Sequence, residues 1–155
     1  MDLMNFLKQK NIKVGIIIFI LVSAISYAIT RYFYTGYFLY ADLQFIAGAV
    51  SGVIYSLIHR KEKPSILTCG AIVGITGGLF SSLLIAFYEW LIISFTYGID
   101  IFMLIYFIGF TCLSGIPCGL IIGALISAFY MYKEVKGEKE EEYIEDDFFK
   151  DLIDD

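Results

Sequence analysis

Between Pro64 and Lys133 the chain carries only two charged residues, Glu89 and Asp100. A soluble domain has no means of hiding so long a run, because about a quarter of its residues normally carry charge. A lipid bilayer removes that requirement. A helix of about 17–25 apolar residues crosses its hydrocarbon core, and four stretches qualify: about 14–30, 41–58, 65–90 and 106–132. The last two are joined by a further apolar extension, 91–105. In hydrocarbon each backbone amide needs a partner within its own structure, so runs rich in Leu, Ile and Ala predict helices. The expected fold is all-α: a polytopic membrane protein whose four transmembrane helices form two antiparallel hairpins. Residues 1–133 make up the transmembrane domain, and 134–155 a cytoplasmic tail.

Composition agrees with this reading and narrows function. Of 155 residues, 59% are hydrophobic and 17% charged, with a formal net charge of −5. There is no broad basic face for nucleic acid, and no polar stretch long enough to fold a catalytic ectodomain. The basic residues are unevenly placed. Lys8, Lys10 and Lys13 precede the first run; Arg60, Lys61 and Lys63 lie between the second and third; Lys133, Lys136 and Lys139 follow the fourth. The other two connections hold a single cation, Arg31. The positive-inside bias therefore predicts a cell-membrane protein with both termini and the His59–Pro64 loop in the cytoplasm. The first run, with its three lysines and Ser26-Tyr27-Ala28, reads either as a retained signal anchor or as a cleavable signal peptide.

Small residues recur at four-residue spacing within the runs. Gly70, Gly74, Gly78 and Ser82 form one ladder, Gly115, Gly119, Gly123 and Ser127 a second, and Gly48, Gly52 and Ser56 a shorter third. That spacing puts each set on one helix face, where missing side chains let backbones approach. A reversal at Gly98-Ile99 would set Gly70 opposite Ser127, Gly74 opposite Gly123, Gly78 opposite Gly119 and Ser82 opposite Gly115. The first run has no comparable glycine ladder. Pro117 interrupts the fourth run and frees the Leu113 carbonyl, which Ser81 or Ser82 would be at the right height to satisfy. A packing kink is the plain reading of Pro117, and a transporter-like helix break is the other.

Few residues offer chemistry. Glu89, beside Tyr88 and Trp90, falls at the outer boundary, as do Asp42 and Asp100. They read first as interfacial anchors, and otherwise as a transport site. Cys69, Cys112 and Cys118 lack the Cys-x-x-Cys spacing of a redox pair, and His59 is the only histidine. No metal, cofactor or nucleophile set can be assembled, and no enzymatic activity is expected.

Beyond Lys133 the composition changes sign. Residues 134–155 carry a net charge of −8 and residues 1–133 a net charge of +3. Within the acidic tail, Ile144, Phe148 and Leu152 fall at helical spacing, with Phe149 beside them. The tail reads either as a short amphipathic helix or as a disordered segment. Its acids would be repelled by anionic lipid, so a basic protein surface is the expected target, either a cytoplasmic partner or the chain's own Arg60–Lys63 loop.

Taken together, Gly48/Gly52, Gly70/Gly74/Gly78 and Gly115/Gly119/Gly123 give the chain a pattern that resembles small glycine-rich, four-span prokaryotic membrane proteins of unknown function. Small multidrug transporters share the span number but carry a glutamate in the first helix, and residues 14–30 hold no acid. The expectation is a structural or interaction protein, an accessory subunit or homo-oligomer packed through glycine. The alternative is a small oligomeric transporter or channel.

Overall fold

The structure is a computed structural model that describes residues 9–33, 41–60 and 66–153, with side chains described for 9–33, 43–60 and 66–136. It is all-helical, with α1 at Lys10–Phe33, α2 at Ala41–Ile58, α3 at Ile66–Tyr97 and α4 at Ile101–Ile153. Three stretches are long and apolar enough to cross a membrane: Lys10–Phe33, Ile66–Tyr97 and Ile101–Lys136; Leu43–Ile58 is apolar but shorter. The third of these is 36 residues, or about 54 Å of helix. The aromatic connection 34–40 lies outside the described residues.

Local chemistry explains the break between α3 and α4. Gly98 has φ +94°, a conformation that L side chains rarely adopt, and its amide donates to the Ser94 carbonyl at 3.0 Å to close α3. Asp100 then caps α4, its carboxylate accepting from the Phe102 amide at 2.8 Å. The Trp90 indole donates to the Asp100 carbonyl at 2.8 Å and ties the turn back to α3.

Burial is not sorted by polarity as it is in a soluble bundle. Ser23, Gln44, Ser56, Ser81, Ser82 and Ser127 are buried, whereas Ile17, Leu21, Ile25 and Ile29 form an exposed stripe along α1. Leu113, Ile121, Leu125 and Phe129 do the same on α4. Small and polar residues share the interior with large apolar ones such as Ile12, Phe19, Phe45 and Val53, while further large apolar residues line the outward faces, as expected of helices that pack by close approach in an apolar solvent. Hydroxyls that find no partner across an interface bond back to their own helix, as Ser51 does to Ala47 and Thr30 to Ser26, both at 2.8 Å.

One finding here differs from the sequence-based expectations. Pro117 leaves α4 helical throughout and is exposed. Ser82 donates instead to the Thr111 carbonyl at 2.9 Å, and the Ser81 hydroxyl has no partner among the described residues. Pro117 is two residues from both Gly115 and Gly119, about 200° around the helix, so it stands on the face away from α3. The serines therefore do not repair the break. The backbone of residues 134–153 is helical and continues α4. Glu and Lys are good helix formers and no proline follows Pro117 to stop the helix.

Candidate functional site

The most developed feature of the molecule is its set of glycine-lined interfaces. On α3 and α4, a methyl added at Gly74 would collide with the Gly119 carbonyl oxygen, and one at Gly119 with that of Gly74. Gly78 meets the Gly115 carbonyl, and Gly70 meets Gly123 together with the Ser127 hydroxyl. The Cα–H bonds of these glycines thus point at carbonyl oxygens of the opposite helix, a weak polar contact that recurs at helix–helix interfaces. Beyond the glycines, Ser82 and Thr111 exchange two bonds: Ser82 Oγ to the Thr111 carbonyl at 2.9 Å, and Thr111 Oγ1 to the Ser82 carbonyl at 3.1 Å.

The register differs from the expected one. Backbone contact falls on Gly74 with Gly119 and Gly78 with Gly115, one turn from the pairs a symmetric reversal implies. Two expected pairs are in direct contact through their hydroxyls, Ser127 with Gly70 and Ser82 with Gly115, whereas the Gly74 Cα is 3.6 Å from where a Gly123 Cβ would stand. Gly70 and Gly123 each meet two residues of the facing helix, as crossing helices with interleaved ridges require.

On α1 and α2 the same geometry is built from different residues. A methyl at Gly52 would stand 2.5 Å from the Gly15 carbonyl oxygen, and one at Gly15 2.8 Å from that of Gly52. Gly48 packs on Ser23 and Phe19, and the Ser23 hydroxyl donates to the Gln44 carbonyl at 3.1 Å. Asn11 and Ser56 clasp the other end, Asn11 Nδ2 to the Ser56 carbonyl at 3.2 Å and Ser56 Oγ to the Asn11 carbonyl at 3.3 Å. Gly15, Phe19 and Ser23, again four apart, do on α1 what the glycine ladder does on α3. Phe19 is the residue that hides this pattern in the sequence.

Phe19 and Phe45, both fully buried, join the two pairs. Phe19 lies in a notch at Gly77, where a methyl would be 2.5 Å from its Cγ; Phe45 lies against Gly115, its Cε1 2.9 Å from the corresponding position. Gly77 is off the four-residue ladder, and Phe19 lies in a run of isoleucines. Nothing local marks either one.

The acids go to separate places. Glu89 is 3.3 Å from Arg31 Nε, both side chains largely buried at 12% and 24% exposure, and so links α3 to the end of α1. Tyr27 and Tyr88 stack edge to face just below, ring centroids 6.0 Å apart. Asp100 is the exposed cap of α4, held apart from that pair. Asp42 begins α2, but its side chain is outside the described set, as are those of Ile144, Phe148, Phe149 and Leu152 on the α4 continuation. None of Cys69, Cys112 and Cys118 is in a disulfide. Among the described residues no three His, Cys, Asp or Glu side chains converge as a metal site would need. Comparison with protein-family models, curated proteins and solved structures finds no match to this chain.

Proposed function

We propose that this chain is a non-enzymatic membrane component: four transmembrane helices in two antiparallel hairpins, both termini cytoplasmic, acting as an accessory subunit or homo-oligomer. The carrying observation is the uncovered apolar end of the α3–α4 pair. Arg31, near the end of α1, meets α3 at Glu89, and α3 continues to Tyr97, about 12 Å further. Along that extension and the facing start of α4, Phe95 and Phe102 are 89% and 83% exposed, and Ile99 and Ile105 are open beside them. An apolar surface of that extent standing beyond a bilayer is normally covered by protein. Seams closed by backbone contact suit a scaffold better than a conduit.

Purification from native membranes in mild detergent tests this. The expected result is a particle larger than one 17.6 kDa chain, either a multiple of it or a complex with further subunits. Phe102→Ser with Ile105→Ser should dissociate that particle. A monomer with no companion would overturn the proposal.

The transporter or channel reading draws on the buried hydroxyls of Tyr27, Ser81 and Ser114, which have no partner among the described residues. It is the weaker reading, because the Glu89 carboxylate is already paired with Arg31 and Asp100 serves as a cap. Flux through reconstituted protein that is lost in Glu89→Gln would favour it.

A further inference from the structure

The ends of α1 and α2 that carry the basic residues enclose an open cleft of about 610 Å³. Lys10, His59 and Arg60 are among the residues that line it. One turn further along each helix, toward the apolar runs, Val14 and Tyr55 form the wall, with Ile58 beside them. Cationic and apolar residues lining one cleft match a molecule with an anionic head and a greasy stem.

The cleft is held in shape by its own contacts. The reciprocal Asn11–Ser56 bonds fix the two helix ends against each other. His59 stacks on Tyr55 at 4.2 Å, with its Nδ1 3.1 Å from the Tyr55 carbonyl. Arg60 has only 13% of its side chain exposed and is located by Glu134 of α4, 3.2 Å from Nη2. The start of α1 lies in the same wall. Among the described residues the amides of Lys10, Asn11 and Ile12 have no intrahelical acceptor, which adds partial positive charge beside the two cationic residues. A guanidinium, an ammonium and a helix N-terminus around one space form a recurrent phosphate-binding chemistry.

We propose that this cleft binds a phosphodiester anion, and that its source is the headgroup of an anionic phospholipid in the cytoplasmic leaflet. The apolar wall favours a lipid over free phosphate, because a soluble anion has no use for Val14 and Ile58. Basic pockets between membrane helices on this side suit such headgroups. Glu134 competes for Arg60 and sets how tightly the headgroup is held. The inference rests on the membrane reading above.

Full-length protein, purified in non-ionic detergent and stripped of lipid, is titrated with phosphatidylglycerol, phosphatidylcholine or inorganic phosphate. Native mass spectrometry reads the fraction carrying one adduct. Phosphatidylglycerol should be retained about tenfold more tightly than phosphatidylcholine, the scale of charge-assisted hydrogen bonds. Lys10→Gln with Arg60→Gln should abolish that preference, and Glu134→Gln should strengthen it several-fold, on the order of a single hydrogen bond. Equal retention of the two lipids, or a preference that survives loss of both cations, would overturn the site. Retention of inorganic phosphate that phosphatidylglycerol does not exceed would assign the cleft to a soluble anion and overturn the lipid source. If the double variant does not fold, Glu134→Gln decides, since it keeps both cations: no gain sinks the proposal. A chain that stays dispersed without detergent fails the membrane reading, whereas a detergent-dependent chain with no lipid preference fails only the cleft.

Discussion

At Gly74 and Gly119 the missing side chain is what lets two helices touch through their backbones. Any Cβ there would collide with a carbonyl oxygen that its own helix holds rigid. Gly74→Val should therefore destabilise the fold by about 1–3 kcal/mol or more, read by reversible denaturant unfolding in detergent micelles. Gly109 is the control. It is exposed, with nothing within 4 Å of its missing Cβ, so Gly109→Ala should stabilise by roughly 0.5–1 kcal/mol through helix propensity alone. Equal effects at the two positions would remove the packing argument. The four-residue spacing made Gly70, Gly74, Gly78, Gly115, Gly119 and Gly123 legible, because it is a local property of each helix face. Phe19 and Gly77 were not legible. A phenylalanine within Ile-Ile-Ile-Phe-Ile looks like any other apolar residue until the notch that receives it is known.

The helices show the same division between what is local and what is not. The end of α3 could be read from Gly98, and Asp100 three residues after Tyr97 is a residue type suited to start the next helix. The register of α3 on α4 could not, because a symmetric reversal ignores that crossing helices interleave their ridges. The Arg31–Glu89 pair belongs here as well. Each residue alone reads as an interfacial charge, and only the approach of α1 to α3 makes them partners. Glu89→Gln should cost about 1–2 kcal/mol by leaving the half-buried guanidinium uncompensated. Adding Arg31→Gln should recover most of that loss in a double-mutant cycle. Additive losses in the cycle would show that the two charges do not act as a pair.

For the whole molecule, the apolar outward stripes and the charge asymmetry argue together for a membrane-embedded body with its basic ends on one side. A reporter fused after residue 155 should be accessible only from the cytoplasm, and one inserted between residues 34 and 40 only from outside. The reverse result would overturn the orientation. The acidic segment gains a definite position from the fold, since its backbone extends α4 immediately beyond Glu134, the residue that holds Arg60. The stretch between Pro64 and Lys133, with only two charges, was enough to determine an all-helical, apolar chain with long helices, because hydropathy and helix propensity are carried by each residue and its near neighbours. The tertiary structure alone decided which glycine meets which carbonyl, where Phe19 and Phe45 lodge, that Glu89 finds Arg31, and that Lys10 and Arg60 share a cleft. Those outcomes depend on the relative depth and rotation of helices far apart in the chain, which no local pattern encodes.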